Sequence, residues 1–326
     1  MKKIFITGGA GYVGSFLVPK LLQLGYYVTV LDLMIYGEEV LDHHKNLKII
    51  KGDIRDQNLV DKSVKGSEIF IHLACISNDP SFELNPKLGK SINLDSFEPL
   101  VKIAKKNNLK KFIYASSSSV YGVKSENNVH EEMSLEPLTD YSKFKAECET
   151  ILNNNSSNNF TTVTIRPATV CGYAKRQRLD VVVNILTNLA FHKREITIFG
   201  GSQLRPNIHI EDMADVYVYL IEADDYLING KIYNAGYENH SVLDLAKTVV
   251  EVIGSDVLLK KMSTNDLRSY HISSDKIKNE LGFVPKKTIK DAVSDLRFAF
   301  ENKLLINTLE NENYFNIKKM NKINLA

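Results

Sequence analysis

A doubly wound α/β fold, one parallel sheet with helices on both faces, is predicted for this chain by three observations. Short β-branched and aromatic runs alternate with longer amphipathic segments through the first half of the sequence. No hairpin signal joins consecutive runs, so the strands must return by crossovers. A glycine-rich turn, "TGGAGYVG", stands between the first apolar run and the first helical pattern. Strand–helix alternation of this kind builds a parallel sheet covered on both sides.

The elements follow in order. "KKIFIT" (2–7) reads as the first buried strand, followed by a helix near 11–24 in which Pro19 removes one backbone hydrogen bond and should bend the axis. "YVTVLD" (27–32), "LKIIKG" (47–52), "EIFIHLA" (68–74), "KFIYAS" (111–116) and "TTVTIRP" (161–167) are further strands. Helices are expected near 56–65, 87–108 and 140–153. "NNNSSNNF" (153–160) is polar enough to pass for a linker, but strand chemistry resumes at once, so it reads as a loop. Beyond 167 the pattern loosens into helices at 179–191, 211–223, 242–254, 273–283 and 288–303, with one strand at 231–236. The tail 304–326 is Asn- and Lys-rich with weak periodicity and is expected to dock or fray. The resulting division gives a sheet domain at 1–166, to which 208–241 return. A smaller, mostly helical substrate lobe comprises 167–207 and 242–303.

With 326 residues, the chain has room for one large domain or for one domain and a lobe. Hydrophobic content of 44% and charged content of 25% are those of an ordinary soluble protein. A net charge of +2 gives no electrostatic reason to expect nucleic acid or a membrane surface as partner. Cys75, Cys148 and Cys171 are far apart, without metal-ligand spacing, and so sparse a set fits a reducing compartment. His43 and His44 lack a companion Cys or carboxylate cluster and read as a solvated loop pair, so no metal is expected. No apolar run reaches membrane-spanning length, and the N-terminus lacks a signal-peptide pattern. A cytoplasmic protein is expected.

In the turn after the first strand, Gly8, Gly11 and Gly14 form the spacing G-x-x-G-x-x-G. The first permits a tight turn, the second lets the backbone approach a pyrophosphate, and the third lets the helix pack close to the strand. The helix N-terminus adds amide donors and partial positive charge. Asp32 ends the second strand, near the offset at which a carboxylate meets the ribose hydroxyls of a dinucleotide. Leu33 and Met34 offer no cation for a 2′-phosphate, which favours NAD over NADP. Asp53, after the third strand, is placed to meet the adenine edge.

"YSKFK" opens the helix at 140–153. Oxidising an alcohol by hydride transfer requires a base for the hydroxyl proton, and tyrosine, with a reference pKa of about 10, needs perturbing to serve. Lys145 lies four residues after Tyr141, on the same helical face, where a cation favours phenolate. "YASSSSVYG" (114–122) supplies hydroxyls at the end of the fifth strand, the edge at which doubly wound sheets bind ligands.

With these residues in place, the chain resembles the extended short-chain dehydrogenases/reductases, specifically the NAD-dependent nucleotide-sugar epimerase/dehydratase family. "TGGAGYVG", "GDI", "HLA", "SSSSVYG", "YSKFK", "RPATVCG", "RPNIHIEDMA", "YNAG" and "ELGFVPK" carry the likeness, over about residues 2–300. The resemblance implies a Rossmann-type fold, a homodimer and a nucleotide-diphosphate sugar as substrate. It places the catalytic hydroxyl on Ser117, beside Tyr141 and Lys145. It adds Tyr12, Val13, Ile54, Leu73, Ala74 and Asn93 to the cofactor side, with Arg166 near it. It gives Ser77, Ser118, Arg178, Arg205 and Arg268 to the substrate. Departures narrow the activity. Dehydratases of the family place carboxylates at the positions of Ser118 and Ser119, and Cys171 stands where a tyrosine is usual. The expected activity is a nucleotide-sugar epimerase or dehydrogenase acting at C4. A dehydrogenase that releases the keto sugar is the alternative, followed by a 4,6-dehydratase and, last, a non-catalytic NAD-binding sensor.

Overall fold

A computed structural model describes residues 2–126, 128–264, 269 and 271–323. Along the chain, β1 (Lys3–Thr7), α1 (Gly14–Gln23), β2 (Tyr27–Asp32), β3 (Leu47–Lys51), α2 (Gln57–Ser63) and β4 (Ile69–His72) come first. Next are the short helices α3 (Asp79–Glu83) and α4 (Pro86–Lys90), a π-helical turn at Ser91–Asp95, and α5 (Phe97–Lys106). β5 (Lys111–Ala115), α6 (Asp140–Asn153) and β6 (Thr161–Pro167) complete the first half.

Six of these strands and a later one, β10 (Lys231–Ala235), form a seven-stranded sheet in the order β10-β6-β5-β4-β1-β2-β3. Its pairings are all parallel, for example Ile4 opposite Val28 and Ile69 opposite Lys111. The order reverses between β1 and β4, and that crevice is where ligands enter such sheets.

Period-two alternation divides the strands between two cores. Ile4 and Ile6 of β1 point into one cluster with Leu17 of α1 and Val216 of α8 (Ile210–Glu222). Phe5 points into the other with Phe70, Phe112, Val60, Leu100 and Leu152. There Phe5, Phe70 and Phe112 stack at centroid distances of 4.9 and 4.5 Å. The inner strands β1, β4, β5 and β6 are therefore covered twice, which is why these runs read as apolar without alternation, whereas the edge strand β3 is largely exposed.

Beyond β6, the structure holds strands where the sequence pattern showed mostly helices. β7 (Thr169–Cys171), α7 (Val182–Lys193), β8 (Glu195–Phe199) and β9 (Leu204–His209) lead to α8. α9 (Asp225–Ile228) precedes β10, and β11 (Glu238–Ser241), α10 (Val242–Ile253) and β12 (Leu258–Met262) follow it. α11 (Asp275–Leu281), α12 (Ile289–Glu301) and α13 (Asn316–Ile323) come after these. β11, β9 and β7 form one small sheet, and β12 pairs β8 in another. These strands are short and half exposed, so their periodicity is faint. The helix expected over 87–108 is broken by the π turn, and the stretch at 153–160 is a loop closed by a Ser157–Phe160 bridge. Among the described residues no helix is long and apolar enough to cross a membrane.

Candidate active site

A cavity of ≈ 370 Å³ opens at the C-terminal ends of the strands. Its walls are the turns after β1, β2, β3, β4, β5 and β6, with additions from 176–181, α8 and the tail. The predicted residues Gly8, Gly11, Tyr12, Val13, Gly14, Asp32, Asp53, Ile54, Leu73 and Ala74 all line it. So do Ser77, Ser117, Ser118, Tyr141, Lys145 and Arg178.

The glycine turn is built as a cradle. At Gly8, φ is +76° and an added Cβ would lie 2.5 Å from the Ala74 backbone nitrogen, so no other residue fits. A Cβ on Gly14 would come within 2.4 Å of the Gly9 carbonyl oxygen. The helix-to-strand contact expected of Gly14 thus belongs to Gly9, whose Cβ would lie 2.8 Å from the Val30 methyls. A Cβ on Gly11 would meet only the Gly8 oxygen, at 3.2 Å, leaving its other side open to the cleft. α1 begins there with Val13 as a cap that makes no side-chain bond. Tyr12 anchors the turn from behind: its hydroxyl donates to the Gly172 carbonyl at 2.6 Å and accepts from Asn184 at 2.9 Å.

Asp32 accepts from the Ala10 and Met34 amides at 2.9 and 2.8 Å. Burial pushes its pKa up, against the pull of those two amides. Burial also acts on Asp53, but the fork of Arg55, 2.7 Å away, holds that carboxyl below its usual range.

Asn93 is placed behind the wall rather than on it. From the π turn its amide grips the backbone of Ile76, accepting from N at 2.8 Å and donating to O at 2.9 Å. Both ends of the side chain are used in shaping the β4 turn, a common setting for a π-bulge. Arg166 is likewise inside, paired with Glu149 at 2.7 Å. Arg205 lies on β9, donating to the Leu204 carbonyl, and does not line the cavity. Arg268 lies outside the described residues.

Tyr141 and Lys145 occupy the first two turns of α6, whose start is fixed by a capping box of Thr139 and Ser142. Lys145 Nζ donates to the Ala115 carbonyl at 2.7 Å and sits 5.8 Å from the Tyr141 ring centroid. Ser117, just beyond β5, has its Oγ 2.8 Å from Ser119 Oγ and within reach of the Tyr141 hydroxyl. Burial raises the pKa of this phenol, with Cys75 and Asp79 adding to the rise, while Arg178 and the Ser117 hydroxyl oppose it. Spacing along the helix points to Lys145 alone as the group that perturbs this phenol. In the structure, desolvation is the larger effect.

Several lining residues were not foreseen. Asp79 lines the cavity, and Thr139 Oγ1 donates to its carboxylate. The tail docks: the Asn316 amide N–H donates to Asp180 at 2.8 Å, and its side chain donates to Ser77 at 2.9 Å. Arg178 pairs with the same Asp180 at 2.6 Å and reaches Ser77 at 3.3 Å. Asn316 therefore bridges the two lips of the cleft. Nothing in the weak periodicity of 304–326 marked it. Arg176 did carry a signal, standing two residues before Arg178 in "KRQRLD".

The glycine cradle, the open helix terminus and the Asp32 carboxylate fit a dinucleotide. Comparison with known proteins gives the same answer. The chain is 28% identical to the dTDP-D-glucose 4,6-dehydratase of Bos taurus, over 90% of this chain and 86% of that one. It is 27% identical to the UDP-glucose 4-epimerase of Bacillus subtilis, covering 90% and 95%. An uncharacterised protein of Sinorhizobium fredii is 31% identical over 67% of the chain, which spans 53% of that relative. The solved UDP-glucose 4-epimerase of Thermotoga maritima superposes with a TM-score of 0.83 at 25% identity, over 93% of this chain and all of that one. The pattern of the NAD dependent epimerase/dehydratase family matches residues 4–236. The chain belongs to that family and is an NAD-dependent enzyme of the extended short-chain dehydrogenase/reductase type.

Proposed function

We propose that the enzyme oxidises a ring hydroxyl, at C4, of a nucleotide-diphosphate sugar, and acts as an epimerase or as a dehydrogenase that releases the keto sugar. The observation that carries this reading is the meeting of Ser117, Tyr141 and Lys145 on one wall of the cleft. In this mechanism the Tyr141 phenolate takes the hydroxyl proton while Ser117 Oγ hydrogen-bonds the same substrate oxygen. Lys145, buried beside both, favours the phenolate and holds the cofactor ribose. NAD, when bound, would supply the hydride acceptor and, for an epimerase, the hydride donor to the opposite face of the keto sugar. Arg178 and Ser77, which line the cleft, are assigned to the substrate diphosphate in this reading, with Arg205 and Arg268 as further candidates for it. In this reading residues 1–166, with 208–241 returning to them, hold the cofactor, while 167–207 and 242–303 hold the sugar nucleotide. A cytoplasmic homodimer completes the proposal, supported by the family resemblance and, for the compartment, by three free thiols.

Relatives of both kinds match the chain, so the choice against dehydration rests on two serines. Ser118 is buried, and the Ser119 hydroxyl is engaged with Ser117. Neither can act as an acid or base near neutrality. Removing water across C5–C6 needs both, each worth typically 10²–10⁴-fold. With a panel of UDP-, GDP-, CDP- and dTDP-sugars, the product is expected to be a C4-keto or epimerised sugar that retains its C6 oxygen. Loss of one water, seen by mass spectrometry, would move the assignment to a dehydratase, with Asp79 as the first carboxylate to replace.

Cofactor preference follows from Asp32. Its carboxylate would accept the ribose hydroxyls and repel a 2′-phosphate, so NAD is expected to bind at least about tenfold more tightly than NADP. Equal affinities by calorimetry would remove Asp32 from that role.

A further inference from the structure

Arg176 is a buried cation with no carboxylate in ion-pair contact among the described residues. Only 4% of it is exposed, and Nε has no hydrogen-bond partner among the described residues. Nη2 donates to Asn316 Oδ1 at 2.6 Å, and the guanidinium lies 3.5 Å from the Tyr36 ring centroid. Its backbone amide donates to Ser15 Oγ, in the first turn of α1, at 3.2 Å. Arg176 thus faces the cleft beside the glycine cradle and the turn that follows Asp32. The neighbouring Arg178 differs, because Asp180 neutralises it.

A buried charge is tolerated only when something opposite joins it. Asp32 and Asp180 act on it from a distance, but among the described residues neither carboxylate is in ion-pair contact with the guanidinium, and Asp180 is paired with Arg178. The Tyr36 face fixes the plane of the guanidinium, and Asn316 takes one of its N–H groups, which leaves Nε for a ligand. A diphosphate meets that need, since a guanidinium binds phosphate oxygens in its own plane. The adjacent α1 terminus adds to the same field.

We propose that Arg176 is a cofactor-binding residue that pairs with the diphosphate of the dinucleotide. It supplies the glycine turn with a cation from the segment after β7, and Asn316 holds it in place. The inference depends on the NAD site alone and not on which sugar is turned over.

The test uses the full chain and four ligands: NADH, ADP, adenosine and UDP. Arg176→Met keeps a flexible side chain over Tyr36 and removes the charge. It is expected to weaken NADH and ADP by about 10–100-fold, the range for losing a charge-assisted hydrogen bond. Adenosine, without phosphate, and UDP should each change less than about twofold. Equal losses for adenosine and ADP would make Arg176 a packing residue, and a loss confined to UDP would assign it to the sugar nucleotide. No loss at all would overturn the idea. Should the Met variant fail to fold, Arg176→Lys gives the same reading, with a smaller loss for ADP and none for adenosine.

Discussion

Replacing Tyr141 by Phe is expected to reduce turnover at least 10²–10⁴-fold while leaving NADH affinity and folding close to wild type. The ring packs in the core that faces α2, α5 and α6, and Phe preserves that surface. Only the hydroxyl is lost, and with it the proton acceptor and its bond to Ser117. Because burial drives this phenol's pKa upward, the protonated form prevails on the acid side. For wild type, kcat/KM should therefore climb with pH there. Any residual activity of the variant should lack that limb. Near wild-type turnover, measured with a sugar nucleotide the parent uses, would leave Tyr141 as a packing residue.

The largest expected effect on stability comes from Arg166→Ala. Arg166 and Glu149 are 2% and 4% exposed and lie 2.7 Å apart. Arg166 also donates to the Tyr121 hydroxyl at 2.8 Å, and Ser116 donates to Glu149. Removing the cation strands a carboxylate in the core, which costs about 3–5 kcal/mol. A urea titration should show it as a lower midpoint at unchanged slope. The double variant Arg166→Met, Glu149→Leu should recover much of the loss, because no charge is then left unpaired. A single variant within about 1 kcal/mol of wild type would mean that water reaches the site. Glu149 lies one turn beyond Lys145 on the same face of α6, so the pair also sets the depth at which the reactive residues sit.

The sheet was legible because buried parallel strands are apolar on both faces and helices between them are long. α6 was read to the residue, since Thr139 starts it and the Asn run ends it. The smaller sheets were not legible: β8 and β12 carry Thr and Lys on exposed faces, which imitate loop. In the cleft, residues fixed by local chain geometry were readable, such as Gly8 before α1 or Lys145 four after Tyr141. Those that arrive from far along the chain were not. Arg176 reaches the turn after Asp32 only because β7 and α7 place it there. Asn93 was legible as a residue of the region, but its distance behind the wall depends on a π turn that no spacing rule encodes. The effect of Lys145 on the phenol was judged from spacing, whereas desolvation depends on everything packed around the ring.

The bridge made by Asn316 has a bearing on how the protein is born. Ser77 and Asn316 are 239 residues apart in sequence. At about 5–20 residues per second, a ribosome needs roughly 12–48 s to travel from one to the other. β1 to β6, the glycine turn and the two later elements that complete their cover, α8 and β10, are all made before that interval ends. The nascent chain thus passes through a period in which a dinucleotide pocket exists with its lips unjoined. Cofactor capture during translation would meet an open cleft, and arrival of α13 would close it.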